Sequence, residues 1–401
     1  MSQTAKEPVI PHPPASAETS PATRVFRWKV QASVLRAYTM IIALVVVWAI
    51  FAYVTDGVFL EARNLSNLMR QTAVTGILAV GMLMVIVAGH IDLSVGSLLG
   101  LAGGVAAIVQ YSYDWGLGAS LASALLIGLV IGALQGTLVA YVNIPAFIVT
   151  LGGLLAWRGV IKGISEGRTI PITSEAFKAI GQSYLAPSAG LILAAVAVLA
   201  IVWINLQRRR ARIKHGLRPP SMTEMVVRTL VPAALVVGFV LVMNSYAGVP
   251  IPVMILLVVA LIGVFITQNT TFGRYLYAIG GNAEAARLSG INIRRHIVAV
   301  FCLMGLLTGV AAIIYTARVG SASPDAGVLL ELDAIAACVI GGASLMGGRG
   351  TVFGACLGAL FMASLDNGMS LENVRDYIQD IVKGAILVAA VGFDMFSRRR
   401  G

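Results

Sequence analysis

The charged positions of this chain are spaced too far apart for a soluble protein. Residues 115–157 and 229–273 hold no Lys, Arg, Asp or Glu, and each stretch is about twice the ~20 apolar residues a helix needs to cross a bilayer. Breakers divide them: Asn143-Ile144-Pro145 in the first, and the segment from Asn244 to Pro252 in the second. Read along the whole chain, the pattern predicts membrane helices over 37–54, 72–90, 96–110, 117–141, 146–164, 190–206, 229–244, 251–267, 298–317, 333–346, 351–366 and 377–395. The candidates at 96–110, 333–346 and 351–366 are short, so half-crossings are expected among them. The fold class is all-α, a polytopic transmembrane helical bundle of ten to twelve membrane segments. Either even number puts both termini on one side.

Composition agrees. Of 401 residues, 58% are hydrophobic and 12% are charged, against about 25% charged in soluble domains. The mean hydropathy is +0.87. A soluble enzyme of this size could not cover its surface with so little charge. Residues 1–36 differ: Pro8, Pro11, Pro13, Pro14 and Pro21 fall among small polar residues, followed by Arg24, Arg27, Lys29 and Arg36. Such a segment cannot bury a core and is expected to be a disordered cytoplasmic tail. The apolar run after it ends without a small-residue cleavage site, so it reads as a retained first span rather than a signal peptide. Residues 37–397 then form a single transmembrane domain, with a cytoplasmic loop at 268–297, and 398–401 form a basic cytoplasmic end.

The net charge of +11 is explained by position. With the N-terminus inside, twenty Lys and Arg fall in cytoplasmic segments: five in the tail, seven from Arg208 to Arg228, four from Arg274 to Arg295, Arg349, and Arg398, Arg399 and Arg400. Seven fall outside. The positive-inside rule therefore fixes the orientation, with both termini cytoplasmic, and no nucleic-acid partner is needed. Cys302, Cys338 and Cys356 lie among apolar or small residues without metal-ligand spacing and read as reduced, packed thiols.

Gly128, Gly132 and Gly136 recur every four residues, as do Gly350, Gly354 and Gly358. At helical spacing each set leaves a flat stripe for close helix packing, and two such stripes hint at a duplicated architecture. In the loop at 268–297, Gly280-Gly281 breaks the chain, Asn282 is a good N-cap, and Glu284 complements the positive helix end. Ala283 to Ser289 can form two helical turns that Gly290 ends in a left-handed conformation. This short helix, held off the membrane, is a natural lever for a soluble partner.

Glu284-Ala285-Ala286, three residues, then Gly290 resembles the EAA-x3-G loop of ABC importer permeases. The whole of 278–290 resembles that loop in the monosaccharide branch, as do the segments at 79–97, 145–152 and 337–350. Gly181-Gln182-Ser183-Tyr184-Leu185 and Leu365-Asp366-Asn367-Gly368-Met369-Ser370 are most similar to the D-xylose type of that branch. His90 stands before Ile91-Asp92-Leu93-Ser94 where the family more often has Glu or another residue. The resemblance implies a permease subunit in the bacterial inner membrane that translocates a monosaccharide. It implies partner ABC ATPase subunits, a periplasmic sugar-binding protein and a second copy of this chain. No cofactor is assigned to the chain, since ATP and Mg belong to the ATPase; no G-x4-G-K-[ST] phosphate loop occurs. The loop residues that would couple to the ATPase are Gly281, Asn282, Glu284, Ala285, Ala286 and Gly290.

Four residues are candidates for the translocation path or its gate: Asp92, Ser94, Asp366 and Asn367. For Asp92 and Ser94 a helix cap is favoured over a substrate role, because a cap is local, although carboxylates in membranes also mark substrate paths. Asp366-Asn367 reads first as a helix-end turn near the outer surface. Arg158 can snorkel or pair with a carboxylate in the bundle, and Asp380 and Lys383, three apart, can neutralise one another. The alternative function is an ion-coupled secondary sugar transporter with Asp92, Asp333 and Asp366 as coupling groups. A membrane enzyme is remote, since no nucleophile, metal or acid–base set clusters.

Overall fold

The computed structural model describes residues 40–218 and 220–399. The tail read at 1–36, the start of the first span and the last two residues of the basic end lie outside the described residues. All twelve predicted spans correspond to helices: α1 (Met40–Val54), then α2 (Ala62–Val87), α3 (Val95–Tyr111), α4 (Leu117–Ala140), α5 (Ala146–Ile164), α7 (Pro187–Lys214), α8 (Met222–Asn244), α9 (Ile251–Asn269), α12 (Ile293–Val319), α13 (Leu330–Ile340), α14 (Val352–Leu371) and α15 (Asp376–Arg399). A short outer helix, α6 (Glu175–Gln182), and two helices at the opposite end, α10 (Thr271–Gly281) and α11 (Ala283–Leu288), complete the series. Among the described residues eight helices are long and apolar enough to cross a membrane. The small strands β1 (Ile170–Pro171) and β2 (Ser321–Ala322) pair antiparallel.

Burial separates the centre from the lipid face. The apolar window of α2 is 89% buried, whereas that of α8 is 6% buried. Helices α2, α12 and α14 are the core; α7, α8 and α9 turn residues such as Leu199, Leu235 and Leu261 outward. In water such a face would drive association; in a bilayer it is the solvated surface.

The first glycine stripe works as a packing surface. On α4, Gly128 lies against the carbonyl of Gly305, Gly132 against that of Phe301, and Gly136 against Val298, all on α12. Gly305 and Gly309 of α12 return the contact against Gly128 and Ala124. The second stripe is shorter than its spacing predicts. Gly358 packs α14 on Ala337 of α13 and Gly354 packs it on Gly341 just after that helix, but Gly350 precedes the N-cap Thr351, with φ +152 against Leu83 and Ala343. Cys338 is buried and donates to the carbonyl of Ala79.

Two crossings are broken. Helix α13 has 11 residues, about 16 Å of helix, half of a bilayer core. Gly103 of α3 packs on Thr316 and Ala312 of α12. The start of α3, eight residues earlier, is therefore about 12 Å deeper, near the middle of α12. There Gly96 meets the carbonyl of Gly327 and the Glu331 carboxylate, and Gly327 meets the carbonyl of Gly96. The non-helical segments 88–94 and 323–329 thus bring the N-termini of α3 and α13 together inside the membrane.

The α4–α12 crossing generates a test. Gly132→Leu places a side chain into the backbone of Phe301 and Cys302, where relief by a rotamer change is impossible; a loss at the upper end of about 1–3 kcal/mol is expected. Thermal melting in detergent should fall sharply for Gly132→Leu and stay unchanged for Gly118→Leu, which has open space around it. Equal melting of the two would contradict the packing role.

Candidate functional site

The end of the bundle that the charge bias assigns to the cytoplasm carries a compact lever. Thr270 caps α10 through a bond from the Gly273 amide at 3.1 Å. Gly280-Gly281 are the last residues of α10 rather than the break their type predicts, because the Gly280 Cα must lie against the carbonyl of Val87 and the amide of Gly348. The break comes at Asn282, extended at φ −159°, whose Oδ1 accepts from the Ala285 amide at 3.0 Å. Helix α11 follows, with Glu284 in its first turn, and Gly290 ends it at φ +82°. Ala286 is buried and anchors the short helix, while Glu284, Ala285 and Arg287 face outward and Leu288 is 84% exposed. Asn292 then caps α12 by accepting from the Arg295 amide. The loop expected over 268–297 is therefore mostly helical.

This lever is clamped on three sides. Gly347 and Gly348, at φ +84° and +69°, pack on Gly280 and Gly281. The Tyr277 hydroxyl donates to the Gly350 carbonyl at 2.8 Å, and burial raises the phenol above its ordinary pKa, keeping that donor protonated. The His296 ring stacks on Phe272 at 5.7 Å and meets Tyr275 edge-on at 5.3 Å. The amide of Gly348 donates to the carbonyl of Val87 at 2.9 Å. One rigid group therefore touches the inner end of α2 and the loop after α13, the helices that flank the two breaks.

At the breaks, Asp92 and Ser94 are buried together. Asp92 Oδ1 accepts from both the amide and the hydroxyl of Ser94, at 2.8 and 2.7 Å. Ser94 holds the N-cap position of α3, but neither side chain bonds its first turn; the cap expected here is an internal Asp92–Ser94 turn instead. Gln135 of α4 donates to Ser94 Oγ at 2.8 Å. Arg158 of α5 is within electrostatic reach of the Glu331 and Asp325 carboxylates, as a pairing in the bundle predicts, but its hydrogen bonds go to backbone. It donates to the carbonyls of Pro324 and Ala326 at 2.8 and 2.7 Å, holding the second break. Residue spacing carries no sign of Gln135 or Arg158 in this role, because their partners are distant in sequence.

Asp366 and Asn367 lie within α14, not in a terminal turn. Asn367 is buried and accepts from Asn64 of α2 at 2.8 Å. Lys383 does not pair with Asp380. It reaches across helices to Asp366 at 2.7 Å and Asp333 at 3.4 Å, tying α15 to α14 and α13. Asp92 and Ser94 are thus brought together at the breaks, Asp366 and Asn367 belong to helix–helix ties, and the residues of 281–290 form the lever.

The chain matches the family model described as branched-chain amino acid transport system / permease component over residues 64–211 and 223–391. It is 50% identical over 366 residues to the xylose transport system permease protein XylH of Escherichia coli K12, covering 91% of this chain and 93% of that protein. It is 46% identical over 374 residues to XylH of Haemophilus influenzae, covering 93% and 100%. With the ribose import permease protein RbsC of Escherichia coli K12 it shares 37% identity over 354 residues, 88% and 92% of the two chains. No solved structure matches the chain.

The Lys383 tie generates the test of this arrangement. Removing the shared partner of an ion group that is buried at Asp333 and partly buried at Lys383 and Asp366 leaves its counter-charges uncompensated, at a cost of up to about 3 kcal/mol. Lys383→Met should lower thermal melting strongly, and adding Asp333→Asn and Asp366→Asn to it should restore most of the loss. A single Lys383→Met variant that melts like the parent would refute the tie.

Proposed function

The chain belongs to the family of branched-chain amino acid transport system / permease components, and from that premise we propose that it is the membrane subunit of an ATP-driven importer of D-xylose. It is a multi-pass inner-membrane permease, not itself an enzyme. The choice of sugar follows the relatives: those at 46–50% identity are xylose permeases, and the ribose permease stands at 37%.

The observation that carries the mechanism is the seating of Gly280 on Val87 and Gly348. ATP with Mg would be held by partner ATPase subunits, whose closure would push on the exposed face of α11 at Glu284, Ala285 and Leu288. Asn282 and Gly290 delimit that helix, Gly281 joins it to α10, and Ala286 keys it to the body, so the push would pass into α10 as one piece. From there it has two outlets, the inner end of α2 and the loop 341–350. Each leads to one of the breaks where α3 and α13 begin. Moving both breaks together changes which side of the membrane the junction opens to, which is the requirement for alternating access. A periplasmic sugar-binding protein would deliver the sugar at the outer end, and a second copy of this chain would complete the path. Asp92 and Ser94 would line it at mid-depth; Asp366 and Asn367 would set the helix packing at its outer part.

The ion-coupled reading has less support. Asp333 and Asp366, two of its three coupling groups, already share Lys383.

Glu284→Arg tests the lever. Glu284 is exposed and forms no ion pair among the described residues, so the variant should insert and melt normally. ATP-driven uptake by the reconstituted complex should fall at least tenfold. Gly290→Trp has room but would place a Trp in a left-handed backbone, at a strain of about 1–2 kcal/mol, and should also impair uptake. Normal ATP-dependent uptake in both variants would remove the lever assignment.

A further inference from the structure

We propose that Oε1 of Gln135, Nε1 of Trp157 and Oε2 of Glu331 form a subsite for hydroxyl groups of the uncharged sugar in transit. The proposal rests on the import reading and adds three residues to it. Among the described residues none of these atoms has a hydrogen-bond partner, although all are buried; Gln135 and Glu331 are only 2% and 6% exposed. They come from three helices, α4, α5 and α13, and flank a single turn of α3. Gln135 and Trp157 lie on the Cα of Gly153 beside Ser94, and the Glu331 carboxylate lies on Gly96.

The hydrogen-bond logic fixes what each atom offers. The Ser94 hydroxyl donates to Asp92, so toward Gln135 it can only accept. Gln135 must therefore present its NH2 group to Ser94, which leaves Oε1 as a free acceptor. Glu331 Oε2 is a second acceptor, and the Trp157 indole offers a donor. Among the described residues no side chain caps the first turn of α3, so its unspent backbone N–H groups point at the junction.

A hydroxyl both donates and accepts, and a polyol satisfies this mixed set. An anionic ligand would meet Asp92 and Glu331. A cation would meet two positive helix ends and Arg158.

The test uses the full complex with its ATPase and saturating sugar-loaded binding protein, in liposomes. Uptake of D-xylose and its single-deoxy analogues is measured for the parent, Trp157→Phe and Glu331→Gln. Glu331→Gln keeps the side chain's shape and exchanges one carboxylate oxygen for an amide NH2, and Trp157→Phe removes the indole N–H together with the ring that carries it. Each should slow D-xylose uptake about tenfold. In the parent at least one deoxy analogue should be slowed similarly, and that analogue should lose little more in the matching variant. If no deoxy analogue is slowed in the parent, or both variants carry D-xylose at the parental rate, the subsite is overturned and a buried water is the occupant. A parent complex that carries no D-xylose under ATP would overturn the import reading, and this subsite with it.

Discussion

Non-helical backbone inside a bilayer must find its hydrogen bonds within the protein, and two segments of this chain live under that constraint. Lipid offers no partner for an exposed N–H or C=O group. The break at 88–94 is met by the Asp92–Ser94 turn and by a long contact from the Thr150 hydroxyl to the Ile91 carbonyl. The break at 323–329 is met by Arg158, which spends its guanidinium on Pro324 and Ala326. Close approach does the rest. Gly96 and Gly327 let the two backbones touch, so each break shields the other from lipid. The central helices, the glycine crossings and the Lys383 tie are arranged around keeping that junction closed to lipid.

The same constraint links the junction to the cytoplasmic lever. A broken helix can tilt at its break without unwinding elsewhere, and both breaks sit one element away from α10. Gly280, Gly347 and Gly348 form a contact in which backbone meets backbone. Packing of that kind shifts as a unit rather than yielding by rotamer changes. Glu284 and Leu288 remain free at the surface, as a contact for a soluble partner requires.

How much of this was legible in the sequence depended on the range of each interaction. The spans were readable because lipid exposure is a property of consecutive residues. Asn282, Glu284 and Gly290 were readable because capping is settled within a few positions. The stripe at Gly128, Gly132 and Gly136 was readable because a helix repeats its own face. Gly280 misled because a helical glycine pressed on Val87 looks like a chain break until the distant contact is known. Lys383 misled because Asp380 is three residues away, while its true partners on α13 and α14 are separated from it in sequence. Arg158 and Gln135 gave no local signal, since each serves a backbone or hydroxyl brought in from another helix. Asp366-Asn367 read as a turn because polarity alone cannot distinguish a helix end from a buried tie such as Asn64 to Asn367.

The central claim is that this chain is a passage worked from the cytoplasmic face by ATP. Its most direct test is D-xylose uptake into proteoliposomes, comparing the complex with partner ATPase, binding protein and ATP against the chain alone under a proton or sodium gradient. The account predicts uptake that needs ATP on the face bearing α10 and α11, and none from either gradient. Gradient-driven uptake by the chain alone, without ATPase or ATP, would contradict it.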